Sequence, residues 1–386
     1  MAAQPIRYDP DYAVHPGEVL DEYLAAAGMT QAELAARLGR PLKTVSEIIH
    51  GKAAITPETA LQLERVFGRP AALWQNLEAS YRRRLAVEQE RGSLADHRGW
   101  AKRFPVKALL EGGHVESPKD DADLVDKLLR FFGVGTVAGW ELRFGSVDVA
   151  YRRSPSFEAA PESVAAWIRL GEIGAAEIEC QPFDKKAFRA ALEEARRLTT
   201  KRVPVAIDEL RTLCASAGVA FVVVPELPKT HLSGIARWVS KDKALIQLSL
   251  RHKTDDHFWF SFFHEAGHIL LHSKKTLFID EKGGDDSAIE REANRFAEDL
   301  LLSAAAYARF VAARDFSEGS VERFAKAQGV AVGIVVGRLQ HQGHVPFTRL
   351  NHLKAEVASA AAPARAAKAT KAPGSKRPAV SRQRRR

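Results

Sequence analysis

Two histidines and a glutamate lie close together in the run Phe262-Phe263-His264-Glu265-Ala266-Gly267-His268-Ile269-Leu270-Leu271, which contains the pattern HExxH. On a helix, the i, i+4 spacing places His264 and His268 on one face, where both imidazoles can bind one metal ion. Glu265 lies beside them, where its carboxylate can act as a base. The pattern therefore indicates a zinc hydrolase in which water completes the coordination of Zn2+.

The alternative is an apolar helix that happens to carry two core histidines. Aromatic and aliphatic residues surround the predicted helix axis on both sides of the motif: Phe258, Trp259, Phe260, Phe262, Phe263, Ile269, Leu270 and Leu271. Two imidazoles and a carboxylate in such a helix would each need a buried partner, and a metal ion supplies one. Asp255 or Asp256 is predicted to cap the N-terminus of this helix.

A third ligand is expected on a second helix, predicted for residues 287–302, whose apolar stripe has helical spacing. At 3.6 residues per turn, Glu290 lies roughly 50° from the centre of the stripe, whereas Glu292 lies roughly 110° away on the solvent flank. Glu290 is therefore the predicted ligand. Asn294, one turn later, is predicted to hold a ligand imidazole in its metal-binding tautomer. The alternative role for Glu290 is a capping box with Ser287.

The segments FFHEAGHILLH and EREANRFAEDLL resemble the ImmA/IrrE metallo-endopeptidases, in which HExxH is followed by a helix of the form E-x-E-A-N-x-F-A. The resemblance covers roughly residues 205–350. It implies an α+β zincin-like domain of the gluzincin kind, with zinc held by His264, His268 and Glu290. It also implies a protein substrate, typically a transcriptional repressor that is cut when a stress signal arrives.

Strand patterns occur only near the motif helix, and they predict a small sheet beside it. The predicted strands are residues 219–224, 234–239 and 244–250. In zincin-like proteases, an exposed sheet edge holds the substrate as an added strand, and residues 243–249 are the predicted edge. Farther along, FAKAQGVAVGIVVGRLQHQG echoes LAARLGRPLKTVSEIIHG in spacing. This echo predicts a closing subdomain with a helix-turn-helix shape that packs on the peptidase-like domain.

Four further side chains have roles that the pattern leaves open. His231, His252 and Tyr307 can each stabilise a developing oxyanion, although each is individually more often a surface or packing residue. His272 lies two turns beyond His264, about 12 Å along the axis, and cannot share the metal as a first choice. It is predicted to support the site or to lie on the surface.

Residues 15–80 predict a run of short helices with helix-turn-helix spacing. The predicted helices are Pro16–Ala27, Thr30–Leu38, Leu42–His50 and Thr56–Phe67. The middle pair keeps five positions for a core: Leu34, Ala35, Leu38, Val45 and either Ile48 or Ile49. Lys43, Thr44 and Ser46 open the second helix of this pair, where side chains reach base edges in the major groove. Gln31 and Lys52 can contact phosphate. The alternative is a small helical bundle that binds no nucleic acid.

The whole segment from HPGEVLDEYL to WQNLEASY resembles a HigA-type antitoxin domain of the XRE helix-turn-helix class. The resemblance includes the HPGE opening and the W-x-N-L end. It implies a homodimeric module that binds a palindromic operator in double-stranded DNA.

Charge and cysteine content restrict the class of protein. Nine of the 57 Lys and Arg residues lie from Val357 onward without an acidic residue, and the remaining 48 equal the 48 Asp and Glu residues. The folded body is therefore neutral, and the basic charge belongs to a predicted disordered tail. Cys180 and Cys214 are too few for a disulfide scaffold, which predicts reduced thiols in a cytoplasmic protein. The sequence shows neither a long apolar run nor a signal-peptide pattern, so neither membrane anchoring nor export is predicted.

Together these patterns predict a multidomain chain. The predicted domains are an all-α HigA/XRE-like helix-turn-helix domain at 1–85, a helical connector at 86–204, an ImmA/IrrE-like α+β zincin-like metallopeptidase domain at 205–355, and a disordered basic C-terminal tail at 356–386. The predicted function is a DNA-binding regulator with a zinc endopeptidase that cleaves a repressor or partner protein in a stress or toxin–antitoxin response. The alternative is a non-catalytic antitoxin or repressor whose metal domain is a sensor or only structural.

Overall fold

A computed structural model describes residues 14–152, 160–251, 253–272, 278–279 and 288–357. The helices are α1 (Pro16–Ala27), α2 (Gln31–Leu38), α3 (Leu42–Ile49), α4 (Pro57–Phe67), α5 (Ala71–Asp96), α6 (Arg98–Ala101), α7 (Val106–Glu111), α8 (Asp121–Phe132), α9 (Val137–Arg152), α10 (Pro161–Glu177), α11 (Lys185–Leu198), α12 (Val203–Ser216), α13 (Asp255–Leu271), α14 (Ala288–Leu301), α15 (Ala304–Ala313), α16 (Glu318–Gln328) and α17 (Val332–His341). The strands are β1 (Val219–Val223), β2 (Gly234–Ser240), β3 (Lys243–Leu248) and β4 (Phe278–Ile279). Ser287, His252 and all but the start of the predicted tail lie outside the described residues.

The chain forms two compact units. The first comprises the residues up to Arg103 together with Gly113–Val137, and the second comprises Phe104–Gly112 and the residues from Ala138 onward. The predicted boundary at residue 85 falls inside α5, and the residues of the predicted connector, 86–204, are distributed over both units. Among the described helices, none combines the length and apolar composition needed to cross a bilayer.

The first unit contains the predicted helix-turn-helix. Thr30 caps α2 by accepting a hydrogen bond from the backbone N–H of Glu33 at 3.2 Å, and Gly39 ends α2 in the left-handed conformation with φ 64°. The core of this unit is built from apolar residues of α1 to α5 and from Ile55 in the segment between α3 and α4: Leu20, Leu24, Leu34, Ala35, Leu38, Val45, Ile48, Ile55, Ala60, Leu63 and Trp74. The core positions predicted for α2 and α3 are confirmed, with Ile48 buried and Ile49 only partly buried.

The second unit contains a four-stranded sheet in the order β1-β3-β2-β4. β3 pairs with β1 in parallel, from Val219 opposite Ala244, and with β2 in antiparallel, from Gly234 opposite Leu248. β4 pairs with the other side of β2. The strands predicted from the sequence are therefore present, but their order places β3 in the interior of the sheet.

The prediction that residues 243–249 form an exposed edge is wrong. The alternation in this segment predicts a half-buried strand, whereas Gln247 is fully buried and donates a hydrogen bond from Nε2 to the backbone oxygen of Trp167 in α10 at 2.7 Å. Lys243 donates from Nζ to the carbonyls of Ala175 and Ile178, at 2.6 and 2.5 Å, at the C-terminal end of α10. The polar residues of β3 thus satisfy polar groups of α10, and they do not mark a solvent-exposed edge.

Helices cover both faces of this sheet. On one face, Trp167 of α10 donates a hydrogen bond from Nε1 to the backbone oxygen of Val224 at 3.1 Å. On the other face, Phe221 of β1 packs edge-to-face against Phe262 of α13, with ring centroids 5.4 Å apart. The helix that carries HExxH is therefore held against the sheet by its aromatic residues.

The helix pair α16 and α17 has the local geometry of α2 and α3. Gly329 ends α16 with φ 67°, and the backbone N–H of Val330 donates to the carbonyl of Ala325, as that of Arg40 donates to Ala35. The residues of α17 are buried along much of its length: Gly333, Ile334, Val335, Val336, Leu339 and Gln340. α17 also contacts α13, so it packs within the second unit.

The N-terminus of α13 differs from the prediction that Asp255 or Asp256 caps it. Thr254 occupies the N-cap position, and both aspartates lie in the first helical turn, where they are buried. Oδ1 of Asp255 accepts a hydrogen bond from the backbone N–H of Ala355 at 3.0 Å, and Asp256 forms an ion pair with Lys354 at 2.6 Å. Both carboxylates therefore bind residues 354–355 across the fold, and Oδ1 of Asp255 also accepts a hydrogen bond from the backbone N–H of Asp256 at 3.0 Å, although neither aspartate is the N-cap residue.

Candidate functional site

The two histidines of HExxH face one glutamate of α14. Nε2 of His264 lies 3.2 Å from Oε2 of Glu290, Nε2 of His268 lies 3.4 Å from Oε1 of Glu290, and the two Nε2 atoms are 3.0 Å apart. These ligand atoms all lie within 4.8 Å of one another. Nitrogen, nitrogen and carboxylate oxygen form a donor set that suits Zn2+.

The electrostatics of this cluster favour an ionised carboxylate at Glu290 and a neutral imidazole at His268. Burial raises the pKa of Glu290, but hydrogen bonding to His264 and His268 outweighs burial and lowers it to about 2. Burial lowers the pKa of His268, in spite of the opposing contact with Glu290. An ionised carboxylate and a neutral imidazole are the forms that bind a metal ion.

A close approach of two helices brings Glu290 to the histidines. Gly267 lies in α13 between the two histidines, and a Cβ at that position would lie 3.3 Å from the Cα of Ala293 in α14 and 3.1 Å from Cδ1 of Phe296. Small residues on both helices permit this approach. The A-N pair of the α14 pattern therefore has a packing role at Ala293 in addition to the polar role of Asn294.

Asn294 lies against the imidazole of His264. Its Oδ1 lies 2.9 Å from Nδ1 of His264. An amide oxygen only accepts hydrogen bonds, so the imidazole proton belongs on Nδ1 and the lone pair on Nε2 faces Glu290. The contact thus holds His264 in the tautomer that a metal ion needs.

Glu265 is 1% exposed and lies beside β2. A Cβ at Gly234 would lie 2.7 Å from Oε1 of Glu265 and 3.0 Å from its Cγ. Glycine at this position of the strand therefore leaves the space that the carboxylate occupies. HExxH alone does not indicate this neighbour, because the partner lies 31 residues earlier in the chain.

Glu292 lies on the solvent flank of α14, as the helical phase predicts, with a side chain that is 65% exposed. Its Oε2 lies 3.3 Å from Nε2 of His272. His272 in turn lies with Nδ1 3.0 Å from Nδ1 of His268. His272 is expected from the sequence either to support the site or to lie on the surface. Only 6% of its side chain is exposed, so the geometry agrees with the first expectation.

The predicted oxyanion donors lie in other surroundings, as far as the described residues show. The backbone N–H of His231 donates to Glu226, and its carbonyl accepts from Arg251. The ring of Tyr307 lies under the guanidinium of Arg338, 4.2 Å from its centroid, and burial raises the pKa of Tyr307 to about 12. Neither has a described contact with His264, His268 or Glu290.

The predicted DNA-contacting residues lie at the head of α2, at the head of α3 and just after α3. Lys43 is exposed and forms an i, i+4 ion pair with Glu47 at 3.8 Å. Thr44, Ser46 and Gln31 are partly exposed, and Lys52 is exposed. Leu42, at the start of α3, is 49% exposed, and it was not predicted from the sequence.

Residues 20–74 match the helix-turn-helix family, and residues 222–340 match the family of IrrE N-terminal-like domains. The chain is 39% identical to virulence-associated protein I of Dichelobacter nodosus over 83 residues, which are 21% of this chain and 76% of that protein. It is 33% identical to the uncharacterized HTH-type transcriptional regulator YddM of Escherichia coli K12 over 66 residues, which are 17% of this chain and 70% of that protein.

Solved structures are similar over the same part of the chain. One is an addiction module antidote protein of the HigA family from Coxiella burnetii, with 32% identity, 21% of this chain and 90% of that chain covered, and a TM-score of 0.20. Another is the Pseudomonas aeruginosa antitoxin HigA with the higBA promoter, with 32% identity, 20% and 87% covered, and a TM-score of 0.20. Through its N-terminal domain the chain belongs to the XRE-type helix-turn-helix family, and it carries an IrrE/ImmA-like domain of the M78 peptidase family at residues 222–340.

Proposed function

We propose that this protein is a DNA-binding transcriptional regulator whose second unit is a zinc-dependent endopeptidase. Its substrate is a repressor or a partner protein in a stress or toxin–antitoxin response. The observation that carries the proposal is the convergence of ligand atoms of His264, His268 and Glu290 within 4.8 Å. Glu265 is buried next to His264 in α13. The IrrE N-terminal-like match over residues 222–340 supports the same conclusion.

The residues present fit a catalytic zinc site. Three protein ligands leave a coordination position open, whereas structural zinc sites are normally closed by four protein ligands. When bound, zinc supplies a Lewis acid that polarises a peptide carbonyl and lowers the pKa of water. Glu265 accepts the proton of the attacking water on its carboxylate and then delivers it to the leaving nitrogen.

The second candidate is a regulator or antitoxin without catalysis, in which the metal site is a sensor or stabilises the fold. The free thiols and the helix-turn-helix are compatible with both candidates. The position of Glu265 favours the first candidate, the enzyme, because a buried carboxylate beside three proposed ligands has no function in a purely structural zinc site. For both candidates we propose a cytoplasmic location, because the two cysteines would stay reduced there.

Zinc content tests the metal site directly. We expect the purified chain to hold a single zinc ion and Glu290→Ala to lose it, because the carboxylate completes the ligand set. Glu292→Ala is the matched control, since it removes a carboxylate two residues away on the same helix, where the side chain is 65% exposed. Metal content is measured by elemental mass spectrometry after dialysis. If Glu290→Ala kept zinc and Glu292→Ala lost it, the assignment of the third ligand would be wrong.

The proposal for the first unit is a homodimer that binds a palindromic operator through α3. Lys43 and Thr44 lie at its start, and Leu42 adds an apolar surface that suits a thymine methyl group. Gln31 is the first residue of α2, and Lys52 follows the end of α3. Ser46 lies within α3, one turn after Leu42. Phosphate contacts by the flanking residues would set the register, while the α3 side chains would set the sequence preference.

Replacing both Lys43 and Thr44 by alanine should reduce sequence preference more than overall affinity. We expect the ratio of specific to non-specific affinity to fall by about tenfold or more, because each base contact contributes about 1–3 kcal/mol to discrimination. Preferred duplexes are first selected from a random pool with the full chain, and affinities are then measured at fixed salt. Lys107→Ala is the control, since Lys107 is also exposed and pairs at i, i+4 with Glu111. An unchanged ratio in the double variant would contradict the proposed recognition helix.

A further inference from the structure

A row of polar side chains leads from the proposed metal site to the surface of the second unit. It runs from His268 to His272 and then to Glu292, with contacts of 3.0 and 3.3 Å. We infer that His272 is a positioning residue for the proposed ligand His268, which it holds in the metal-binding tautomer, with Glu292 as its own outer partner. The inference rests on the proposed zinc site.

The tautomers follow from the geometry. In the zinc-bound state the lone pair of His268 has to be on Nε2, because this is the ring nitrogen that lies 3.4 Å from Glu290 and 3.0 Å from Nε2 of His264. The proton of His268 is then on Nδ1, and it is donated to Nδ1 of His272. The remaining proton of His272 is on Nε2, which donates to the carboxylate of Glu292. Every proton in the row has a defined acceptor.

The two proposed histidine ligands are supported in parallel ways. Nδ1 of His264 lies 2.9 Å from the amide oxygen of Asn294, and Nδ1 of His268 lies 3.0 Å from the ring nitrogen of His272. In both cases a single acceptor fixes the orientation of the ring and the position of the proton. One acceptor comes from α14, and the other follows the last residue of α13. The HExxH motif specifies neither of them.

Burial decides which member of the row matters most. The side chain of His268 is 1% exposed and that of His272 is 6% exposed, whereas that of Glu292 is 65% exposed. Water can replace Glu292 as an acceptor for His272, but it has little access to Nδ1 of His268. Loss of His272 is therefore expected to weaken zinc binding about 10- to 100-fold, which is the usual effect of losing an outer hydrogen-bond partner of a ligand. Loss of the charge on Glu292 should have a much smaller effect.

A matched pair of substitutions tests the role of His272. His272→Leu keeps the approximate size of the side chain and removes the acceptor. His272→Asn restores an acceptor, because the amide oxygen of asparagine occupies the position of Nδ1, and it reproduces the chemistry that Asn294 supplies to His264. Zinc affinity of the full chain is measured by competition with a chromophoric chelator. Thermal unfolding of the metal-free proteins shows whether both variants fold.

The expected result is zinc affinity about 10- to 100-fold lower in His272→Leu, with His272→Asn close to wild type. The visible spectrum of the cobalt-substituted protein should also change in His272→Leu and not in His272→Asn, since a rotated imidazole alters the ligand field. Glu322→Gln, at an exposed position of α16 outside the row, is the control and should bind zinc as tightly as wild type. The inference is overturned if His272→Leu binds zinc as tightly as wild type, or if a folded His272→Asn binds as weakly as His272→Leu. A wild-type chain that takes up no zinc would instead overturn the proposed metal function itself.

Discussion

Glu265→Gln is expected to retain zinc and to lose peptide cleavage by about 10²- to 10⁴-fold, the range that a general base contributes. The substitution keeps the shape of a side chain that is 1% exposed, and it removes the proton acceptor. The ligand atoms of His264, His268 and Glu290 are untouched, so metal content should not change. A rate loss without metal loss would separate the base from the ligands.

Cleavage is measured with a mixture of quenched fluorescent peptides of random sequence and by mass spectrometry of fragments from the full chain. Glu322→Gln is the control, because it makes the same chemical change at an exposed position of α16. If Glu265→Gln left all zinc-dependent behaviour intact, including any response of operator binding to stress, the regulator without catalysis would be the better description. The zinc content of each variant decides whether a lost rate reflects the base or the metal.

Local patterns predicted the parts of the structure that neighbouring residues determine. The bounds of α1 agree with the sequence prediction, and the end of α2 at Gly39 follows from the left-handed conformation that glycine adopts there. The phase of α14 also separated Glu290 from Glu292: Glu290 lies beside His264 and His268, whereas the side chain of Glu292 is 65% exposed. These inferences need only the 3.6-residue period and capping rules.

Pairing across long stretches of chain was not predictable in this way. β3 looks like an edge because Lys243 and Gln247 are polar, yet both bind carbonyl groups of α10, more than 60 residues earlier. Asp255 and Asp256 look like caps, but their partners are residues 354–355, about 100 residues later. Polar residues reveal that a partner is needed, while topology decides which one.

The ion pair between Asp256 and Lys354 carries the second large expected effect. Lys354→Met is expected to lower the free energy of unfolding by about 3–5 kcal/mol, because it leaves a buried carboxylate without its counter-charge. The side chains of Lys354 and Asp256 are only 9% and 7% exposed, so solvent cannot replace the ammonium group. Burial and then the neighbouring Asp256 charge already raise the pKa of Asp255 to about 6, which shows how poorly this turn of α13 accommodates added negative charge.

The same pair ties the end of the described chain to the helix that carries HExxH. The backbone N–H of Asp255 donates to the carbonyl of Ala355 at 2.9 Å, and that of Val357 donates to the carbonyl of Lys253 at 2.8 Å. Loss of Lys354 should therefore release residues 354–357 together with the first turn of α13. In the metal-free Lys354→Met variant, the backbone N–H groups of Asp255 and Val357 should therefore exchange with solvent faster than those in the core of α13.

Denaturant unfolding of the metal-free chain measures the effect without a contribution from zinc binding. Lys253→Met is the matched control. The side chain of Lys253 is exposed, and its backbone carbonyl accepts the hydrogen bond from Val357. The double variant Asp256→Asn with Lys354→Met should recover most of the lost stability, since it removes the buried charge that the single substitution strands. If Lys354→Met were no less stable than Lys253→Met, the pair would contribute no more than a surface ion pair, about 0–1 kcal/mol. The hydrogen bonds between Asp255 and Ala355 and between Val357 and Lys253 would then have to hold the first turn of α13 in place.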